Sequence, residues 1–267
     1  MLYFSSLLET IDEYRPAGKR LFATLEAHGI PYGLMENTRD IWMRDFMPVR
    51  TRTGNYVSFR YEPSYLKERP DLQTDFRRDM SGAFPFAPVV YSHINLDGGN
   101  VVFSPSKTKA VISDRVFSEN ADQPRDALVE ELERLLEAKV ILIPSLPSDM
   151  TGHADGMVRF VDETTVVGNR TPYRFGLEAR IRKVLEKQGL RVVEFPYFGS
   201  PKDSAAGCYL NFLETEQGVL LPVFGVEMDS EAVAAAESVF RKPVIPVNIN
   251  EVAEQGGVLN CISWEAP

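Results

Sequence analysis

Four short clusters in this 267-residue sequence, three of them containing glycines, set polar side chains close together: Trp42-Met43-Arg44-Asp45, Leu96-Asp97-Gly98-Gly99-Asn100, Gly152-His153-Ala154-Asp155-Gly156 and Gly256 to Cys261. Together they offer carboxylates, an imidazole and a thiol, flanked by glycines that let backbone turn tightly and approach a ligand. A thiolate is a strong nucleophile whose pKa falls beside a cation and rises beside carboxylates. A Cys among acids therefore makes chemical sense when the ligand itself brings the positive charge. A guanidinium does so, being planar, permanently cationic and rich in paired donors matched to carboxylates. Two acids would hold its nitrogens while sulfur attacks the central carbon. The histidine would protonate the leaving amine and then activate water.

Taken singly, each residue has an ordinary explanation. Cys208 reads as a small buried hydrophobe, and His28 sits where a helix C-terminus favours an imidazole. His93 reads as a turn or surface residue, Trp42 as core, and Asp97-Gly98-Gly99-Asn100 as a routine turn. His153-x-Asp155 could be half a metal site, yet neither of the other two histidines lies at ligand spacing from it. No metal and no organic cofactor are expected. Nucleotide, dinucleotide, serine-hydrolase and zincin fingerprints are all missing from the sequence.

The elements that must position these clusters repeat. Apolar β-rich runs begin at Val89, Val140, Val192 and Val244, at steps of 51, 52 and 52 residues, with an earlier candidate at Ile30. Most follow an amphipathic helix. Leu128, Leu132, Leu135 and Leu136 form one helical face after Pro124, and Leu177, Ile181, Val184 and Leu185 form another that stops at Gly189. Ser230 to Phe240 predicts a third helix with Asp229 as its N-cap, and residues 17 to 28 predict a fourth. Hairpin-like pairs precede the later helices at Asn100 to Ser113, Met157 to Val167 and Tyr209 to Val223. The unit is hairpin, helix, strand, about five times over, in one domain spanning 1–267. The first unit lacks its hairpin, and residues 257 to 264 leave an orphan β-like segment. Joining first and last elements would close an α/β ring without sheet edges and bring equivalent clusters to its axis; an ordinary α/β sandwich is the plainer arrangement.

Composition narrows the partners. Twenty-nine Lys and Arg against 38 Asp and Glu give a net charge of −9, which argues against nucleic acid and anionic membranes. No apolar run approaches the roughly 20 residues of a membrane span, and the first residues lack a basic segment of the secretory kind. Two cysteines build no disulfide scaffold. A cytoplasmic setting follows as the expectation, with a homo-oligomer left open.

The clusters, in order, resemble the agmatine deiminases, which belong with the bacterial peptidyl-arginine deiminase-like proteins to the guanidine-modifying (pentein) superfamily. The resemblance rests on Asp40-x-Trp42-x-Arg44-Asp45-x-x-Pro48, Asp97-Gly98-Gly99-Asn100, Gly152-His153-x-Asp155-x-x-x-Arg159-Phe160-Val161 and Gly256-Gly257-x-x-Asn260-Cys261-Ile262. Tyr209-Leu210-Asn211-Phe212 and Val219 to Gly225 match as well. It implies a pseudo-fivefold α/β propeller, the pentein fold. It also implies Cys261 as a nucleophile forming a covalent thiouronium, His153 as general acid and base, Asp45 and Asp155 gripping the guanidinium, and Asp97 orienting the histidine. Trp42 and Trp264 would wall the pocket, with Arg44 beside the substrate. Asp97 stands where the family usually has Glu, Asn260 where agmatine deiminases commonly have His, and Met47 where they have Gly. The chain is also shorter than typical agmatine deiminases.

The expected activity is C–N hydrolysis of a small cationic guanidino compound to the ureido product and ammonia. Agmatine or a related alkylguanidine comes first, and free or peptidyl arginine next. Amidino transfer to an amine, and a non-catalytic ring acting as a binding factor, are the alternatives.

Overall fold

The computed structural model describes residues 1–86, 88–145, 149–170, 176–199 and 204–266. It divides into two compact units, one of Met1–Arg44, Asn169–Tyr173 and Glu194–Pro267, the other of Asp45–Gly168 and Arg174–Val193.

The first unit contains two three-stranded sheets. In one, Leu213–Glu214 runs antiparallel to Val219–Val223, which pairs in parallel with Val244–Asn248. In the other, the central strand Leu2–Ser5 pairs in parallel with Tyr32–Met35 and antiparallel with Ser263–Glu265, in register Leu2 to Glu265. The orphan C-terminal segment thus supplies the hairpin partner missing from the first repeat. Reciprocal bonds extend the pairing, Met1 N–H to the Ala266 carbonyl at 2.8 Å and Ala266 N–H back to Met1 at 3.0 Å.

The second unit is built around sheets of the same kind: Val49–Arg50, Tyr56–Arg60 and Val89–Asn95; Val102–Phe103, Lys109–Ser113 and Lys139–Ile143; and, as far as Gly168 and Val193, the strands Val158–Phe160, Thr165–Asn169 and Arg191–Phe195. Helix Arg125–Leu136 buries all four leucines of its expected face against Val57, Ile94, Ala110 and Ile112. Each such leucine contributes about 1.5–3 kcal/mol by leaving water. Helix Leu177–Lys187 buries Leu177, Ile181 and Leu185 beside Val158 and Val166, with Val184 at the edge. Gly189, just past that helix, takes the left-handed conformation (φ 76°) that a terminating residue needs.

Two expectations change. No α-helix precedes Val89–Asn95 in the described part of its repeat; the connection is made of the short turns Ser64–Leu66, Pro70–Leu72, Phe76–Met80 and Ser81–Ala83. Pro63, Pro70 and Pro85 explain it, because each lacks an N–H and pushes its predecessor away from helical backbone. Asp229 is not an N-cap, since its helix begins one residue earlier, at Met228. Its carboxylate is committed elsewhere, accepting N–H bonds from Phe224, Gly225 and Val226 and the Tyr209 hydroxyl at 2.7 Å.

Candidate active site

In the second unit, the turn Gly98–Asn100 leaves the strand Val89–Asn95, and the turn Ala154–Gly156 follows Lys139–Ile143. Asn100, buried, locks the two together. Its side-chain oxygen accepts the Ser113 N–H at 2.8 Å and the Ala154 N–H at 3.2 Å. That second bond fixes the backbone immediately after His153.

The imidazole is then held from two sides. Nε2 lies 2.8 Å from Asp97 Oδ2, and Nδ1 lies 3.5 Å from Asp45 Oδ1. The Gly99 N–H donates to the same Asp45 oxygen at 3.1 Å. Gly99 must be glycine here, because a Cβ would sit 2.6 Å from Asp45 Oδ1 and 2.7 Å from His153 Nδ1. Asp155 shares the turn that follows His153, and exposure is only 8% for Asp45, 8% for Asp97, 7% for His153 and 3% for Asp155. The Tyr65 hydroxyl donates to Asp97 Oδ2 at 2.8 Å. Beside these groups is a cavity of about 10 Å³, room for roughly one water, lined in part by Tyr65, Asn95, Asp97, Asn100, Arg115 and His153.

Burial dominates the electrostatics of Asp45, pushing its carboxyl up to about 7; Asp97 and Asp155 push the same way, while His153 and the Gly99 N–H resist. For His153, burial favours the neutral ring, but Asp45, Asp97 and Asp155 together overcome it and raise the imidazole to about 10. The ring is therefore held toward its cationic form, with three carboxyl groups around it. Burial, with Asp97 next, raises the Tyr65 phenol well above its ordinary value, so it stays a donor. Chemically, the cluster can transfer protons through the ring and bind a compact cation against its acids.

In the first unit, Cys261 lies partly exposed in a tight turn. Buried Asn211 pins it, its side-chain oxygen accepting the N–H groups of Asn260 at 2.9 Å and Cys261 at 3.1 Å. The Arg44 backbone N–H donates to the Cys261 carbonyl at 3.1 Å. The Arg44 side chain reaches the Asn260 carbonyl (3.2 Å), Ser263 Oγ (3.2 Å) and Glu265 (3.4 Å). Arg44 thus clamps the segment that carries the cysteine. Trp42 is half-buried and lies over Gly257, where a Cβ would stand 2.3 Å from its ring and 3.0 Å from the Cys261 Cβ. Trp264 is 3% exposed and packs on Tyr3 with ring centroids 5.7 Å apart, a residue of the sheet core.

His28 and His93 are exposed, and Cys208 is half-buried rather than buried. Among the described residues, no group of three or more His, Cys, Asp or Glu side chains is placed to hold a metal ion. None of their helices is long and apolar enough to cross a membrane. Three contributors carried no role in the sequence reading: Asn100, Asn211 and Tyr65. The first two stand inside recognised motifs, which was a signal; Tyr65 stands in none.

The agmatine deiminase of Pseudomonas aeruginosa is 34% identical over 83 residues, 31% of this chain and 23% of that protein. The matched stretches span 18–23% of the lengths of the curated relatives. Among solved structures, the agmatine deiminase of Enterococcus faecalis superposes with a TM-score of 0.75 at 18% identity, over 98% of this chain and 92% of that one. DDAH from Pseudomonas aeruginosa, complexed with citrulline, gives a TM-score of 0.62 at 12% identity, over 98% and 97%. The α/β pentein fold implied by the motifs is thereby borne out. The Porphyromonas-type peptidyl-arginine deiminase family model matches residues 13–267, a span that takes in all four polar clusters. The chain belongs to that family.

Proposed function

We propose that the protein is a C–N hydrolase that converts a guanidino compound and water to the ureido product and ammonia. The observation that carries this reading is the buried imidazole of His153 held between Asp97 and Asp45, with Asp155 on its own turn. It combines a proton-transfer group with a cluster of buried carboxyl groups suited to a cation. The relatives named agmatine deiminases and the family named for peptidyl-arginine support the substrate class.

In the proposed cycle, Asp45 and Asp155 hold the guanidinium nitrogens and Trp42 flanks the planar cation. The Cys261 thiolate forms a C–S bond to the central carbon. Breaking one C–N bond releases ammonia, which takes its proton from His153, and leaves a thiouronium on sulfur. Water, deprotonated by His153, adds to that carbon. The C–S bond then breaks as the added hydroxyl gives its proton to solvent, where it ends on ammonia as ammonium, returning the thiolate and the neutral ureido product. A small cationic alkylguanidine of the agmatine kind is the preferred substrate, because a surplus of acids favours a ligand without a carboxylate of its own. Nucleic acid and membranes are not among the proposed partners, given the net charge of −9.

A panel of agmatine, arginine, a peptidyl arginine and simple alkylguanidines, followed for ammonia and ureido product, tests the reading. C261A should abolish turnover with the fold intact. Silence of the folded wild type across the panel defeats the proposal. Turnover that needs an added amine and releases no ammonia would replace it with amidino transfer.

A further inference from the structure

In the described residues between Tyr61 and Pro88 short turns stand in place of a repeat helix, and the first of these, Ser64–Leu66, delivers Tyr65 to the acid cluster. The turn is fixed with more bonds than a solvent loop needs. Glu119 accepts the Ser64 N–H at 3.1 Å and its hydroxyl at 2.7 Å. Arg115 in turn binds Glu119 at 2.9 Å and Ser64 Oγ at 2.9 Å. Held this way, the Tyr65 hydroxyl shares one oxygen, Asp97 Oδ2, with His153 Nε2, each at 2.8 Å. The phenol ring meets the imidazole edge to face, with centroids 6.4 Å apart.

We propose that Tyr65 is a positioning residue for His153, acting through Asp97: its hydroxyl holds the short Asp side chain against the ring and moderates the carboxylate's pull on the imidazole proton. The proposal deepens the deiminase reading and rests on it for its catalytic consequence. Removing the hydroxyl leaves Asp97 Oδ2 with His153 as the remaining donor of the pair. The carboxylate then binds the protonated ring more tightly, and the ring gives up its proton less readily. The other groups that face the ring are Asp45 from the Met43–Phe46 turn and Asp155 from its own turn, with Arg115 and Glu119 on the wall of the adjoining cavity and Tyr61 near Tyr65. None of these is altered by substituting Tyr65.

The test is Y65F, which deletes one oxygen, read by NMR titration of 13C-labelled histidine. Only three imidazoles contribute, and the other two are exposed. The His153 midpoint should rise by about one pH unit, the scale of one hydrogen bond to a charged group. The kcat should fall about tenfold with little change in KM, as expected when a proton-transfer group is detuned and substrate binding is spared. D97N, which keeps Tyr65, should lower the same midpoint. An unmoved midpoint in either variant overturns the proposal, and so does an unmoved kcat in Y65F. If the wild type turns over no guanidine at all, the deiminase reading is what has failed, and the two midpoints alone decide whether Tyr65 acts on His153.

Discussion

Replacing Gly99 by Ala tests whether the acid–imidazole geometry governs turnover. The added Cβ would fall 2.6 Å from Asp45 Oδ1, 2.7 Å from His153 Nδ1 and 3.3 Å from His153 Cε1. Ordinary contact begins at 3.4 Å, so Asp45 must retreat by about 0.8 Å and His153 by about 0.7 Å, or the Gly99 backbone must shift away from both. Neither can do so freely. The ring is tethered at Nε2 to Asp97, Asp45 is tethered to the Gly99 N–H, and both side chains are buried. Forcing one extra methyl into such a site costs about 1–3 kcal/mol. Displacement approaching 1 Å of a catalytic group can cost on the order of 10²-fold in rate. G99A should therefore lose several degrees of Tm and about two orders of magnitude in kcat/KM on the best guanidine. G82A is the matched control, because a Cβ there meets nothing within 4 Å; it should be silent in both assays. G99A protein with wild-type turnover and an unaltered Tm refutes the argument that this close approach sets the site.

Three further outcomes are expected. The pH dependence of stability should carry the signature of two raised pKa values. The protonated His153 stabilises the fold fully below about 6.5 and loses that contribution as pH rises through about 10, while Asp45, raised from 3.8 to about 7, makes stability fall between those values. Urea unfolding midpoints should thus decline with pH across both windows in the wild type, with the upper decline absent in H153Q and the lower in D45N. N211A strips the acceptor from the Asn260 and Cys261 N–H groups, which should cost about 1–3 kcal/mol in denaturant stability and lower kcat more than it raises KM. R44K keeps the charge but loses the planar multi-donor geometry that clamps Asn260 and Ser263; kcat should fall with KM nearly constant, whereas a KM-dominated effect would return Arg44 to the substrate.

The repeat was legible because its third strands are continuous apolar runs, and runs beginning at Val89, Val140, Val192 and Val244 stand out against charged helices. The paired role of the termini was legible too, once an orphan β-like segment was seen at one end and a repeat without its hairpin at the other. The helix absent before Val89 was masked by the regularity of the spacing, which says how far apart strands fall and nothing about what joins them. Asp229 looked like a cap because it opens a helical pattern; three nearby amides and a tyrosine outcompeted the helix for its oxygens. Tyr65 and Asn211 act through partners 32 and 50 residues away. Such contacts are made by tertiary packing and leave no periodic trace.

The pairing of Leu2–Ser5 with Ser263–Glu265 has a kinetic corollary. Strand pairs such as Lys109–Ser113 with Lys139–Ile143 close across a few dozen residues, whereas this one joins positions separated by most of the polypeptide. Loop-closure entropy grows with separation, and distant pairings tend to slow folding. Cys261 sits two residues before the C-terminal strand of this pair. The segment that carries the Cys261 thiol is thus anchored by a pairing of high sequence separation, while the turns that carry Asp97 and His153 follow strands paired over much shorter spans.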